Sequence, residues 1–262
     1  MEDRIYWRSD RGKYSLYKND TDIYIDHMNS ALLSITDSEA LYVDIHMDYV
    51  RGFDSLFSLP FNYLTRLTLN GLGMNHARED NKNIILKLSH FLLTNKTLEY
   101  LQISYFHVGS HVAPLFNSLQ INNTLTELSI ANCGCTNWLT PACDALSINT
   151  TLTSLTLKGI SMDHAENKKY MMSLKHLTMD TNSTNFTNFI NYCPALISLK
   201  CVTLAISYIL NITKLTNLRY LDVAIVGSVP TDFTDLLLKM NLTSLCITFD
   251  NSYPLIINFE LL

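Results

Sequence analysis

The chain has 262 residues, of which 47% are hydrophobic and 16% are charged, and its formal net charge at pH 7 is −5. A chain of this length and composition can bury a large core within one domain. Its acidic balance argues against a nucleic-acid partner, because binding to a phosphate backbone relies on clustered lysine and arginine side chains.

Residues 1–39 contain short β-prone runs separated by turn signals such as Asn19 and Asp20. We expect this segment to cap the apolar end of the structure that follows it. The alternative is a docking arm that uses Trp7 and the nearby tyrosines. The first residues lack the apolar stretch of a secretion signal, which favours a cytoplasmic location. The longest apolar run, residues 201–212, is too short to cross a bilayer, so no membrane partner is expected.

From residue 40 onward the sequence repeats one phrase. The full form, L-x-x-N-x-T-L-x-x-L-x-L/I, occurs at residues 92–103, 119–130 and 146–157, and weaker copies extend to about residue 250. A recurrence of this length is typical of proteins built from stacked repeats. The first apolar position of L-x-x-L-x-L falls at Ala40, Leu64, Leu98, Leu125, Leu152, Leu174, Leu196, Leu218 and Leu242.

The last two apolar positions of each phrase are two residues apart, so they lie on one face of a short strand. One such unit cannot bury this face alone, but stacked neighbours can. The phrase resembles that of the leucine-rich-repeat family, and its L-x-x-N-x-T-L portion resembles the ribonuclease-inhibitor-like subclass. The resemblance implies an α/β solenoid with a parallel sheet on the concave side and helices or short turns on the convex side. The predicted divisions are a cap at 1–39, about nine repeats at 40–250, and a cap at 251–262.

One position departs from the family pattern. Leucine-rich repeats usually carry Asn or Cys three residues after the last strand leucine. Cys133 and Asn182 fit this rule, but Phe106, Ile160 and Val226 do not. We therefore expect an asparagine ladder to be mostly absent at these turns.

The segments between the strands vary in length. Longer ones predict helices over residues 81–94, 111–119 and 139–147, and shorter ones predict helical turns over 184–192 and 205–212. The last segment predicts a helix that starts at residues 230–235 and leads into 236–239. The apolar tail predicts a further strand through Leu255, Ile257 and Phe259. Its alternative role is an exposed edge for self-association.

Motifs for catalysis or metal binding are weak. Cys133 and Cys135 lack the spacing of a zinc site, and His107 and His111 have no acidic residue between them. No nucleophile–base set can be placed from spacing. We expect no enzymatic activity, no metal and no cofactor, and we interpret the cysteines as structural thiols.

Eight N-x-S/T sequons occur, and those at Asn95, Asn122 and Asn149 lie inside the repeated phrase. We interpret them as products of the repeat, not as glycan sites. The richness in Asn, Ile, Thr and Tyr favours an origin in a large DNA virus such as a poxvirus.

Alternation within each strand places a second set of side chains on the predicted concave face. We predict that this face binds a partner protein, since aromatic and arginine side chains are frequent in interfaces. The chain would then be a non-enzymatic interaction module, monomeric or weakly dimeric, and a viral effector of host signalling. The alternatives are a ubiquitin-ligase substrate adaptor that docks through residues 1–39 and a self-associating structural protein. The predicted partner-binding residues are Tyr42, Asp44, Arg66, Tyr100, Gln102, Glu127, Lys158, His176, Asp180, Lys200, Tyr220 and Asp222.

Overall fold

The computed structural model describes residues 4–10, 13–18, 21–25, 42–47, 57, 64–71, 78–160, 169–180, 189–205, 209–226, 233–249 and 257–260. For residues 4–47, 78–81, 203–210 and 257–260, and for 226, 233, 234, 236 and 249, only the backbone is described. The strands are β1 Arg4–Asp10, β2 Lys13–Lys18, β3 Thr21–Ile25, β4 Tyr42–Met47, β5 Arg66–Gly71, β6 Tyr100–Ser104, β7 Glu127–Ala131, β8 Ser154–Lys158, β9 His176–Met179, β10 Ser198–Ala205, β11 Tyr220–Val226, β12 Ser244–Phe249 and β13 Ile257–Glu260.

The described strands form one 13-stranded sheet in the order β13-β12-β11-β10-β9-β8-β7-β6-β5-β4-β1-β2-β3. Strands β4 to β12 are consecutive and parallel, and β1 pairs in parallel with β4. Strands β2 and β3 continue the sheet antiparallel at one edge, and β13 pairs antiparallel with β12 at the other. The predicted strand through Ile257 and Phe259 is thus confirmed, whereas Leu255 lies outside the described residues.

The repeat alignment predicted the register of the sheet. Leu101 pairs with Leu128, Leu128 with Leu155, and Leu155 with Leu177, as the repeated phrase requires. In β7, Leu128 and Ile130 are buried, whereas the residues that alternate with them are half-buried or exposed. Period-two alternation therefore separates a face packed on the helices from an open face.

Helices cover the leucine side of the sheet. They are α1 Arg78–Thr94, α2 Ala113–Leu119, α3 Leu139–Leu146, α4 Ile209–Ile212 and α5 Phe233–Leu238, with a 3-10 turn at Gly109–Val112 preceding α2. Buried residues of the strands and of the helices form one hydrophobic cluster. The architecture is an α/β leucine-rich-repeat solenoid. Among the described residues, no helix is long and apolar enough to cross a membrane.

The largest differences between the predicted helical segments and the structure are at two places. The segment 205–212 is wrong at its start, because β10 extends to Ala205 through a register shift between Cys201 and Leu204. Only the turn at Ile209–Ile212 is helical there. The second difference is the 3-10 turn before α2, where a longer helix was expected. Most of the segment 184–192 lies outside the described residues.

An aromatic cluster joins the convex segments of three repeats. The Trp138 ring lies 6.0 Å from the Phe116 ring and 6.2 Å from the Phe189 ring, measured between centroids. All three side chains are fully buried. Because each ring belongs to a different repeat, the cluster couples three repeats through their convex layer.

An asparagine ladder exists before the strands, at their N-terminal ends. The family pattern places an asparagine after the strands, at their C-terminal ends. The buried Asn122 side chain accepts hydrogen bonds from the N–H groups of Thr124 and Leu125, at 3.2 and 2.8 Å, and donates to the Leu92 carbonyl at 2.8 Å. Asn149 donates to the Leu119 and Asn122 carbonyls at 2.7 and 2.9 Å. These amides satisfy backbone groups that the turns would otherwise leave buried and unpaired.

At the C-terminal ends of three strands the chain enters a left-handed conformation. Tyr105, Asn132 and Gly159 follow β6, β7 and β8, with φ of 63°, 54° and 59°. The Tyr105 and Asn132 N–H groups donate to the last carbonyl of the next strand, at 2.9 and 2.8 Å. After β8 the Gly159 N–H donates instead to a side chain, the Asp180 carboxylate that follows β9, at 2.8 Å.

The division into a cap at 1–39, repeats at 40–250 and a cap at 251–262 stays a prediction. Strand pairing shows that the end strands continue the same sheet. It does not show which segments are required for the others to fold.

Candidate protein-binding face

The open face of the sheet is formed by the side chains that alternate with the strand leucines. The register aligns them in rows across the strands, so that Arg66, Tyr100 and Glu127 are successive partners. Neighbouring strands in a sheet lie about 4.8 Å apart. Each row is therefore a line of side chains at contact spacing.

One end of this face carries an interlocked polar cluster. The Arg66 guanidinium lies 4.3 Å from the centre of the Tyr100 ring, a cation–π contact. The Tyr100 hydroxyl donates to Gln102 Oε1 at 2.7 Å, and Gln102 Nε2 donates to Ser104 Oγ at 3.3 Å. These contacts hold the three larger side chains in one arrangement before any partner binds.

The other end carries an ion pair beside exposed apolar surface. Lys200 Nζ lies 2.5 Å from Asp222 Oδ2, with 55% and 43% of the two side chains exposed. The hydrogen bond and the charge of Asp222 raise the pKa of Lys200, so this lysine is positively charged at neutral pH. Tyr220 is 50% exposed and Val202 is 48% exposed. Exposed aromatic and aliphatic groups beside a fixed ion pair are suited to protein recognition.

The middle of the face is lined by small side chains. Ser129, Thr156 and Thr178 are half-buried, while Lys158 and His176 are exposed. Asp180 is half-buried and its carboxylate is held by the Gly159 N–H. Asp180 therefore has a structural role in the turn, which the sequence did not indicate.

Of the predicted set, Arg66, Tyr100 and Gln102 are in mutual contact, and Lys200 contacts Asp222. The register places Glu127 beside Tyr100 and Tyr220 beside Ser198. Six strand steps separate β5 from β11, about 29 Å at the usual strand spacing. The two clusters therefore occupy separate parts of the face.

Tyr42 and Asp44 are placed by backbone register alone. Tyr42 pairs with Arg66, and Asp44 pairs with Thr68. Their side chains lie outside the described residues, so their predicted part in binding stays a prediction.

A cleft of about 350 Å³ lies beyond the C-terminal ends of β6 and β7. The sequence placed His107 and His111 four positions apart, on one side of this cleft. It did not indicate that Gly134 and Thr136 of the next repeat line the other side. The lining residues are His107, Val108, Gly109, Ser110, His111, Gly134 and Thr136. No group of three or more metal-ligating side chains occurs among the residues that the structure describes.

The five buried cysteines are unsuited to nucleophilic chemistry. All six are free, and five of them are buried. Burial raises the pKa of Cys133 to about 11 and that of Cys143 to about 12. Since the thiolate is the reactive form, these thiols are largely unreactive in the folded protein.

The asparagines of the sequons inside the repeated phrase are buried in the folded protein. Asn95, Asn122 and Asn149 are 8%, 2% and 6% exposed, and their side-chain oxygens accept backbone hydrogen bonds. Their interpretation as structural residues is confirmed by these contacts.

No protein-family model matches the sequence. A search of curated proteins finds no match. Among solved structures, this structure is similar to that of an internalin from Listeria monocytogenes, with 17% sequence identity and a TM-score of 0.42 over 82% of this chain and 55% of that chain. The chain thus spans about half the length of the internalin. The assignment of the fold rests on the register and burial of this chain's own repeats.

Proposed function

We propose that this chain is a non-enzymatic interaction module that binds a partner protein through the open face of its sheet. The observation that carries the proposal is the end of that face around β10 and β11, where exposed Tyr220 and Val202 flank the Lys200–Asp222 pair. A partner of this surface would bury the aromatic ring and meet a charge of each sign. Mixed charges along the face favour a protein over a nucleic acid.

The first experiment is affinity capture of the tagged full-length protein from a cell lysate, followed by mass spectrometry. We expect a discrete protein in stoichiometric amount. The Asp222→Lys variant should no longer capture that protein, because it places a second positive charge beside Lys200, where the native chain presents an ion pair to the partner. Its matched control is Asp235→Lys, which makes the same change at an exposed residue of α5 away from the face.

Arg66→Glu tests the other end of the face independently. Loss of capture with both Asp222→Lys and Arg66→Glu would mean that one partner spans about 29 Å of sheet. Equal capture by the native chain, by Asp222→Lys and by Arg66→Glu would place the binding surface elsewhere and overturn the proposal.

A cytoplasmic location is part of the proposal. It is supported by the six free thiols, since extracellular proteins usually oxidise such cysteines to disulfides. The ribonuclease-inhibitor-like subclass, the viral origin and an action on host signalling remain predictions from the repeated phrase and the composition.

A further inference from the structure

A second surface, away from the open face, lies where the chain turns from each convex segment into the next strand. Four positions before the first apolar residue of L-x-x-L-x-L, at Leu125, Leu152, Leu174 and Leu196, four successive repeats carry Ile121, Ile148, Tyr170 and Tyr192. The first three are 66%, 58% and 61% exposed, and Tyr192 is half-buried. We call these four residues the apolar row.

Backbone and side-chain bonds between repeats hold the row together. Asn149, which follows Ile148, donates to the Asn122 carbonyl at 2.9 Å. The Met171 N–H donates to the Tyr192 carbonyl at 2.7 Å, and the Tyr170 and Tyr192 rings lie 6.1 Å apart. The Tyr170 and Tyr192 rings are therefore in contact, and Ile121 and Ile148 occupy the same position in the two preceding repeats.

The fold does not require apolar residues at this position. Thr94 and Lys214 occupy it in two other repeats of the same sheet. The side chains that are buried at this turn are those next to the row, such as Asn122 and Leu125, which are 2% and 0% exposed. Exposed apolar side chains that packing does not demand and that form a contiguous row indicate an interaction site.

Basic side chains border the row. Lys175 and Arg219 lie on the backbone ladder just after the row, in which each N–H donates to a carbonyl of the preceding repeat. Among the residues that the structure describes here, the acidic ones are Glu99 and Asp144, and Asp144 pairs with Lys169 at 2.8 Å. Basic side chains therefore outnumber acidic ones in the described part of this edge. The basic residues of the edge are Lys96, Lys169, Lys175, Lys214, Arg219 and Lys239.

The spacing of the row matches a helix. Successive repeats stack at about 4.8 Å at the sheet, and an α-helix advances about 5.4 Å per turn. The distance of 6.1 Å between the Tyr170 and Tyr192 rings is close to this helical pitch. A helix that lies along the edge can therefore place one apolar residue per turn against each member of the row.

We propose that this edge binds an acidic amphipathic helix of a partner protein. The apolar stripe of that helix packs on Ile121, Ile148, Tyr170 and Tyr192, and its Asp and Glu residues face Lys175, Lys214 and Arg219. The surface is distinct from the open face, so the proposal stands or falls independently of the proposed function. Exposed tips bordered by lysine can also contact an anionic membrane, and the observed helical spacing favours the protein segment.

The test uses the full-length chain and a synthetic helical peptide of about 18 residues, long enough to cover four repeats. One peptide carries one leucine per turn bordered by glutamate, and its partner peptide carries lysine in place of glutamate. Fluorescence anisotropy should show binding of the glutamate peptide that weakens with added salt. We expect the lysine peptide to bind at least tenfold more weakly.

Two variants of the edge and two controls locate the site. Ile121→Ser/Ile148→Ser and Lys175→Glu should each weaken binding of the glutamate peptide about fivefold or more. Leu86→Ser alters a side chain that is 43% exposed on α1, and Asn83→Glu adds a negative charge at another exposed residue of that helix. Neither control should change binding. All variants affect exposed residues, and circular dichroism checks that each one is folded.

Three results would overturn the proposal. The first is equal binding of both peptides, and the second is an effect of the controls as large as that of the edge variants. The third is binding of the native chain to vesicles that contain phosphatidylserine but not to the glutamate peptide, which would assign the edge to a membrane surface.

Discussion

Asn122 shows how a single side chain sets the geometry of a repeat. Its amide accepts two backbone N–H groups of its own turn and donates to a carbonyl of the previous repeat. The sequence identified this asparagine as part of the repeated phrase but did not reveal what it bonds. The partners are 30 positions away for Leu92 and three for Leu125, and only the stacking of repeats brings the distant one within reach.

Replacement of Asn122 with alanine should destabilise the protein by about 2–3 kcal/mol, because it leaves buried backbone groups without partners. Urea unfolding followed by circular dichroism measures this change. Asn123→Ala is the matched control, since the Asn123 side chain is exposed one position along the same turn. Equal stability of the two variants would contradict a structural role for the ladder.

Cys246 is the half-buried thiol and lies next to the Lys200–Asp222 pair in the register of the sheet. Desolvation raises its pKa, and the negative charge of Asp222 raises it further. Asp222→Asn should therefore lower the pKa of Cys246 and increase its thiolate fraction at a given pH. We expect faster labelling by a maleimide at pH 8 in this variant than in the native chain.

The control for this labelling is Cys246→Ser, which should remove the labelling seen in the folded state. The other five thiols are buried and should react only after unfolding. Slower labelling of Asp222→Asn than of the native chain would show that Asp222 does not raise the pKa of Cys246.

At the level of elements, the strands were predictable and the convex layer less so. Period-two leucines in a fixed phrase fix both the strands and their register. The end of β10 was not predictable, because the apolar run 202–205 fits a strand and a helix equally well. The aromatic contacts in the convex layer were also not predictable, since Trp138 contacts Phe116 and Phe189 only when the repeats are stacked.

Trp138→Ala should destabilise the protein by about 3–5 kcal/mol, because it removes the centre of an aromatic cluster that joins three repeats. Trp138→Phe keeps most of the buried volume and should cost about 1–2 kcal/mol. Thermal unfolding of both variants beside the native chain tests this order. A loss in the alanine variant no larger than in the phenylalanine variant would mean that the site collapses around the missing ring.

At the level of the whole molecule, stability is shared between neighbours along one axis. A central repeat contacts a repeat on each side, and its N–H groups belong to a ladder that runs from Glu99 to Ser244. The candidate site reflects the same layout. Its rows were predictable from alternation, whereas the Arg66–Tyr100 stack and the apolar row depend on side chains of separate repeats.

Hydrogen exchange should show this gradient. Amides of Thr126 and Thr153 in the central repeats should be more protected than the amide of Thr243 in the last parallel repeat, because end repeats have fewer stabilising neighbours. Exchange measured by mass spectrometry on the full chain resolves these segments. Protection of the β12 segment equal to that of β7 and β8 would show that the sheet opens as a single unit.

The direction of the bonds at the two edges of the sheet has a consequence for synthesis on the ribosome. At the edge where strands begin, the residues that enter strands β6 to β12 donate backward, as Thr153 does to Thr126, and the Asn149 side chain does the same to Asn122. At the opposite edge the donation runs forward, from Asn132 to Lys158. A nascent repeat can therefore satisfy its first edge at once on the chain already made. Its second edge stays open until the following repeat has left the exit tunnel.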